Sequence, residues 1–198
     1  MSSQPDIRYT PQQYLELERA AEYKSEFING RIYAMSGASL RHNNISMNIA
    51  GGLHAQLRGQ PCRALASEMR VQVRATGLYT YPDVVVVCGE PQLEDTTFDT
   101  LLNPIVIFEV LSPSTEAYDR GAKFAHYQRL ESMQDYILVA QDKCRIEHFT
   151  RRTEHEWTLT IYTEAAETLQ LPGIDCGLLL SDIYDRVIFP EAEEDARS

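Results

Sequence analysis

Hydrophobic positions along the chain recur with two periods, and the switches between them delimit the elements. Ile45, Ile49, Leu53 and Leu57 fall every four residues and mark the apolar stripe of a helix over 40–57. An earlier helix over 11–22 starts at Thr10-Pro11-Gln12-Gln13, with threonine as N-cap, proline at the first helical position and glutamine three on. Asn29-Gly30 between Phe27-Ile28 and Arg31-Ile32-Tyr33 predicts a hairpin with a two-residue type I′ turn. Over 64–73 the period drops to two: Leu65, Met69, Val71 and Val73 alternate with Glu68, Arg70, Gln72 and Arg74, the pattern of one half-buried strand. Thr76-Gly77 turns the chain into a further strand over 78–87, and an acidic loop over 89–103 follows. A strand over 105–111, a helix over 115–130 and strands over 136–140, 145–150 and 157–162 come next. A short strand near Leu169, a one-turn helix over 181–184 and an acidic, disordered tail over 190–198 complete the reading. The expected fold is a single α/β (α+β) domain over 1–189, a central mixed sheet flanked by helices with outer hairpins at both ends.

Two of these strands carry a charge where a core strand holds hydrocarbon. Glu109 sits inside Ile105-Val106-Ile107-Phe108-Glu109-Val110-Leu111, and Asp83 opens Asp83-Val84-Val85-Val86-Val87. A buried charge is costly unless it is paired or bound to a metal. Period two places Glu109 on the face of Ile107 and Leu111, Asp83 on that of Val85 and Val87, and Glu68 on the arginine side of its strand. If neighbouring strands bring these faces together, Glu68, Asp83 and Glu109 form a cluster that needs a cation or a lysine to stay ionised. All-oxygen ligands favour magnesium, manganese or calcium. On the next helix Asp119, Lys123 and Tyr127 are spaced i, i+4, i+8 and share one face. Read alone, Asp119 and Lys123 equally describe an ordinary surface pair, and Glu68 an ordinary charge on a solvent face.

Composition changes this picture little. Of 198 residues, 43% are hydrophobic and 24% charged, which fits ordinary globular material. No apolar run approaches the roughly 20 residues a bilayer needs, so a cytoplasmic location without a membrane partner is expected. Cys62, Cys88, Cys144 and Cys176 are scattered and predict neither a zinc site nor a disulfide framework. The net charge of −11 argues against a nucleic-acid partner, but five arginines between Arg41 and Arg74 face only Glu68 in that stretch. A basic, phosphate-contacting face is therefore compatible with the sequence.

Three segments carry a family resemblance: Tyr81-Pro82-Asp83, Phe108-Glu109-Val110-Leu111-Ser112-Pro113-Ser114-Thr115 and Tyr118-Asp119-Arg120-Gly121-Ala122-Lys123-Phe124. They resemble the Uma-type restriction-endonuclease-like proteins of the PD-(D/E)XK nuclease superfamily, over residues 11–184. The resemblance implies that Asp83 and Glu109 hold Mg2+ or Mn2+, with Glu68 as an extra strand acid. The superfamily keeps its lysine two residues after the second acid, where this chain has Leu111; the implied substitute is Lys123 on the helix. Arg41-His42-Asn43 also resembles a family motif and would bring His42 near the site; Asp119 and Tyr127, on the helix face of Lys123, are candidate accessory groups, Tyr127 reading first as a packing residue. Glu26, before the hairpin, could reach the site from the N-terminal segment, but nothing in its spacing requires that.

The expected activity is metal-dependent hydrolysis of phosphodiester bonds in DNA. Its rival is a nuclease-like fold used as a binding or regulatory module without catalysis; an enzyme on a non-nucleic substrate ranks behind both. The outer strands over 145–162 leave an edge for pairing with a second copy, so a homodimer is also expected.

Overall fold

A computed structural model describes residues 7–190. The acidic tail over 191–198 lies outside the described residues. Helix α1 (Pro11–Ala20) begins with a complete capping box: the Thr10 hydroxyl accepts from the Gln13 N–H at 3.2 Å and the Gln13 side chain accepts from the Thr10 N–H at 2.9 Å. Strands β1 (Ser25–Ile28) and β2 (Arg31–Ala34) form the hairpin, and Asn29 and Gly30 both take positive φ, as a type I′ turn requires. Helix α2 (Leu40–Gln56) follows, with Ile45, Ile49, Leu53 and Leu57 all buried. Burial of each such side chain contributes roughly 1.5–3 kcal/mol.

The remaining strands are β3 (Cys62–Ala66), β4 (Arg70–Val73), β5 (Leu78–Thr80), β6 (Val84–Cys88), β7 (Thr100–Leu101), β8 (Val106–Leu111), β9 (Asp135–Ala140), β10 (Ile146–Arg151), β11 (Trp157–Tyr162), β12 (Thr168–Leu171) and β13 (Cys176–Leu179). Six of them make the central sheet, in the order β11-β10-β9-β8-β6-β3, with β8 and β9 parallel and the other neighbours antiparallel. A second sheet runs β2-β1-β5-β4-β7, and β12 pairs with β13 alone. One face of the central sheet, through Val84, Val86, Phe108 and Ile137, packs on α2, the β12–β13 hairpin and the short helix over 180–183. The other face, through Val85, Ile107, Leu111 and Leu138, packs on Val71, Val73 and Leu78 of the second sheet and on Tyr127. Because both faces are covered, β6, β8 and β9 read as continuous apolar runs.

Four expectations need correction. The alternating stretch over 64–73 is two strands in two sheets, because a turn at residues 67–69, closed by Met69 N–H to Ala66 O at 3.0 Å, carries the chain across. The stretch over 78–87 divides likewise at Tyr81-Pro82-Asp83, where proline cannot donate to a ladder. The helix expected over 115–130 is α3 (Glu116–Tyr118), a π-helical turn (Asp119–Lys123) and α4 (Phe124–Tyr127) in succession. Finally, Cys62 and Cys88 form a disulfide. The antiparallel register of β3 and β6 sets them directly opposite, a meeting that spacing along the chain does not reveal.

No helix among the described residues is long and apolar enough to cross a membrane. The outer edge of the central sheet is β11, where Leu159 and Ile161 are exposed.

Candidate active site

The pairing of β6 with β8 builds the first half of the site. Val84 lies opposite Phe108, so the next antiparallel step puts Asp83, just before β6, across from Glu109. Asp83 is fixed there: its Oδ2 accepts from the Val110 N–H at 2.7 Å and lies 3.3 Å from Nε2 of His42, on the first turn of α2. Both acids emerge on the face of Val85, Ile107 and Leu111, as period two requires.

The second half comes from the π-helical turn. Lys123 Nζ lies 2.8 Å from Glu109 Oε1, 3.2 Å from Glu26 Oε1 and 3.4 Å from Asp119 Oδ1. Tyr127 donates to the same Glu109 Oε1 at 2.8 Å, and the Tyr136 hydroxyl holds the Asp119 carbonyl at 2.9 Å. Glu26 reaches in from β1, and its Oε1 also accepts from the Thr80 hydroxyl on β5. π-turns inside helices are frequent at functional sites. This one spans the two residues, Asp119 and Lys123, that the cluster takes from the helix. Leu111, at the position where a lysine was looked for, packs into the apolar cluster with Ile107 and Val85. The ammonium therefore arrives from the helix above the sheet instead of from the strand.

Burial sets the electrostatics. Glu109 and Lys123 are each 4% exposed and Asp119 is 3% exposed. Burial pushes the Glu109 carboxyl well above its ordinary range; Lys123 pulls it down, while Asp119 and Asp83 add to the rise. Asp119 is raised for the same first reason, again opposed by Lys123. Burial works against the Lys123 ammonium, but Glu109, Tyr127, Glu26 and Asp119 outweigh it and hold the lysine charged. Tyr127 is pushed far up by burial and by Glu109, so its hydroxyl stays a donor.

Asp83, Glu109, Lys123, Asp119, Tyr127 and His42 are thus brought together, and Glu26 joins them. Glu68 is not: it lies in the turn between β3 and β4, its side chain 86% exposed and paired with Lys24 at 2.8 Å. Glu68→Ala is expected to leave stability within about 0.5 kcal/mol, as surface changes do, and to leave any activity of the cluster unchanged, which a side-by-side melt and assay will read. Arg70, counted in the basic face, is 2% exposed and bonded to Thr100, Tyr81 and Asp99, so it is unavailable to a phosphate. Thr80 was missed because its approach to Glu26 depends on how β1 registers with β5, for which the sequence holds no signal.

The donor set suits a hard cation. Asp83 and Glu109 offer only carboxylate oxygens, and three acids, Glu109, Glu26 and Asp119, surround Lys123. No group of three or more His, Cys, Asp or Glu among the described residues is arranged as a ready-made metal cage. Magnesium does not need one, since it is commonly held by one or two carboxylates with water and substrate phosphates completing the shell. The site fits that mode.

Comparison with known proteins places the chain in a family. Among curated proteins, "Uncharacterized protein slr1290" of Synechocystis is 35% identical over 187 residues, covering 94% of this chain and 97% of its own. A second Synechocystis protein, "Uncharacterized protein sll1609", is 35% identical over 151 residues, covering 76% and 85% respectively. A crystal structure from Anabaena variabilis, titled as a "putative nuclease belonging to DUF820", superposes with a TM-score of 0.75 at 18% identity. It covers 90% of this chain and 99% of its own, and shows the same mixed α+β fold. Residues 11–181 match the family Uma2, described as "Putative restriction endonuclease", and the chain belongs to that family.

Proposed function

We propose that this protein is a divalent-metal-dependent endonuclease that hydrolyses phosphodiester bonds in DNA. The observation that carries the reading is the 2.8 Å contact between Lys123 and Glu109, which supplies from a helix the lysine missing at Leu111. Family membership and the fold support a nuclease in the coarse sense; the carboxylates and the lysine of the cluster support the metal and the roles proposed for them.

Asp83 and Glu109 would hold Mg2+ or Mn2+. When bound, the ion lowers the pKa of a coordinated water and neutralises charge on the phosphate. Lys123, held charged by its acids, would exchange one of its three carboxylate contacts for an N–H directed at the attacking water. Glu26 shares the ammonium with Glu109 and limits where it points; Tyr127 donates to the same Glu109 oxygen that Lys123 meets. His42 and the Val110 N–H hold Asp83 in one orientation. The overall reaction adds water across a P–O bond, with the hydroxyl going to phosphorus and the proton to the departing sugar oxygen.

Plasmid nicking in Mg2+ or Mn2+ tests the reading. Asp83→Asn keeps an acceptor for the Val110 N–H while removing the charge. It is expected to lower the cleavage rate by at least roughly 10²–10³-fold, the range seen when one transition-state-stabilising group is lost. Cleavage that persists in chelator, or that stays at the wild-type rate in Asp83→Asn and Lys123→Met, overturns the assignment. A protein that takes up Mn2+ in calorimetry yet never cuts supports the binding-module rival instead.

A further inference from the structure

The geometry assigns to Gln141 the role of a positioning residue that holds His42, and through it Asp83, in place. Gln141 follows the last residue of β9, beside the end of β8, and is 9% exposed. A glutamine buried there needs partners for both ends of its amide. It has them: its Oε1 accepts from the Ser39 hydroxyl at 2.6 Å and its Nε2 donates to the Leu111 carbonyl at 2.9 Å.

Those bonds close a circuit around the candidate metal site. Ser39 is the N-cap of α2, and its Oγ accepts from the His42 N–H at 3.1 Å. His42 turns its Nε2 to Asp83 Oδ2 at 3.3 Å. The same Asp83 oxygen accepts from the Val110 N–H, adjacent to Leu111 on β8. The ring runs Gln141, Ser39, His42, Asp83, Val110, Leu111 and back to Gln141. It joins the first turn of α2, which further along is tied by Asn48 and Gln56 to the C-terminal segment, to the strand that carries Glu109. Only a side chain with a donor and an acceptor at one tip fits between Ser39 and Leu111. An ionised glutamate in its place would present a second acceptor to the carbonyl, and methionine would present nothing. Partners one step behind a metal ligand, the place His42 holds here, commonly change metal affinity or activity by 10–100-fold when lost, and Gln141, two contacts further back, is expected at the low end of that range.

The inference rests on the reading of Asp83 as a metal ligand, and its test separates the two. Mn2+ affinity is measured by calorimetry, and plasmid nicking alongside, for the wild type, Gln141→Met, His42→Ala and the double variant. Gln141→Met is expected to weaken Mn2+ binding roughly 10-fold with kcat falling in step. In the His42→Ala background the same change is expected to add less than about threefold, because the circuit is already open. Ser39→Ala, which opens it from the other end with less disturbance to the sheet, is expected to reproduce the loss of affinity. Unchanged affinity in Gln141→Met and Ser39→Ala, or full additivity with His42→Ala, overturns the role. Wild-type protein that binds Mn2+ but never cuts DNA overturns the nuclease reading and leaves Gln141 to be judged by the affinities. Wild-type protein that takes up no Mn2+ overturns both.

Discussion

Replacing Lys123 with methionine is expected to cost the metal-free protein about 3–5 kcal/mol, the range for removing one partner of a buried ion pair. The methionine fills much of the same space, so the loss is electrostatic. Glu109, Asp119 and Glu26 would remain around a site that no longer holds a cation. The pH dependence follows from the shifts. Burial already raises Glu109 and Asp119 above their ordinary values, and Lys123 is the group that pulls both down. Without it their folded-state pKa values rise further, so the folded variant binds more protons than the unfolded chain. Stability is then greatest below the ordinary carboxyl range, near 4, and declines as pH climbs through the raised folded values. Denaturant unfolding of both proteins across pH 4 to 9 will show the gap widening upward. Added Mn2+ is expected to recover part of it, since an ion that binds only the folded form stabilises that form. A gap that is flat with pH would mean that the acids do not depend on Lys123.

The second large effect concerns the bridge between Cys62 and Cys88. The sequence separation of 26 residues gives, in the chain-entropy account, about 3.5 kcal/mol of stabilisation relative to the thiol form. At roughly 2–4 °C per kcal/mol for a chain of this size, reduction is expected to lower the melting temperature by about 10 °C. Calorimetric scans with and without a phosphine reductant, and of Cys62→Ser/Cys88→Ser, measure it; a reductant-insensitive midpoint would show two free thiols. Disulfides persist mainly in oxidising compartments. The midpoint of the reduced form is therefore the one that applies if the protein works in a reducing cytosol.

How far the sequence could be read depended on which contacts are local. The facing of Asp83 and Glu109 was legible because a strand's period of two fixes which residues share a side, and β6 and β8 pair in register. Lys123 was legible through its i, i+4 spacing from Asp119 and through the family resemblance. Glu68 and Arg70 were misread for one reason: the alternation over 64–74 runs unbroken through a turn, and a period has no mark for the point where the chain changes sheets. The Cys62–Cys88 bridge, the Thr80 bond to Glu26 and the Gln141 bond to Ser39 join residues 26, 54 and 102 apart through tertiary packing. Such meetings exist only once the sheets have formed.

The passage of the chain between sheets has a consequence for when the site exists at all. Asp83 stands at the crossing from β5 to β6, and the central sheet holds Glu109, while Glu26 and Thr80 belong to the second sheet. Lys123 is shared across that boundary. A chain with either sheet formed alone owns only part of the cluster. A partly folded chain therefore cannot present the whole constellation, and only the finished molecule assembles it.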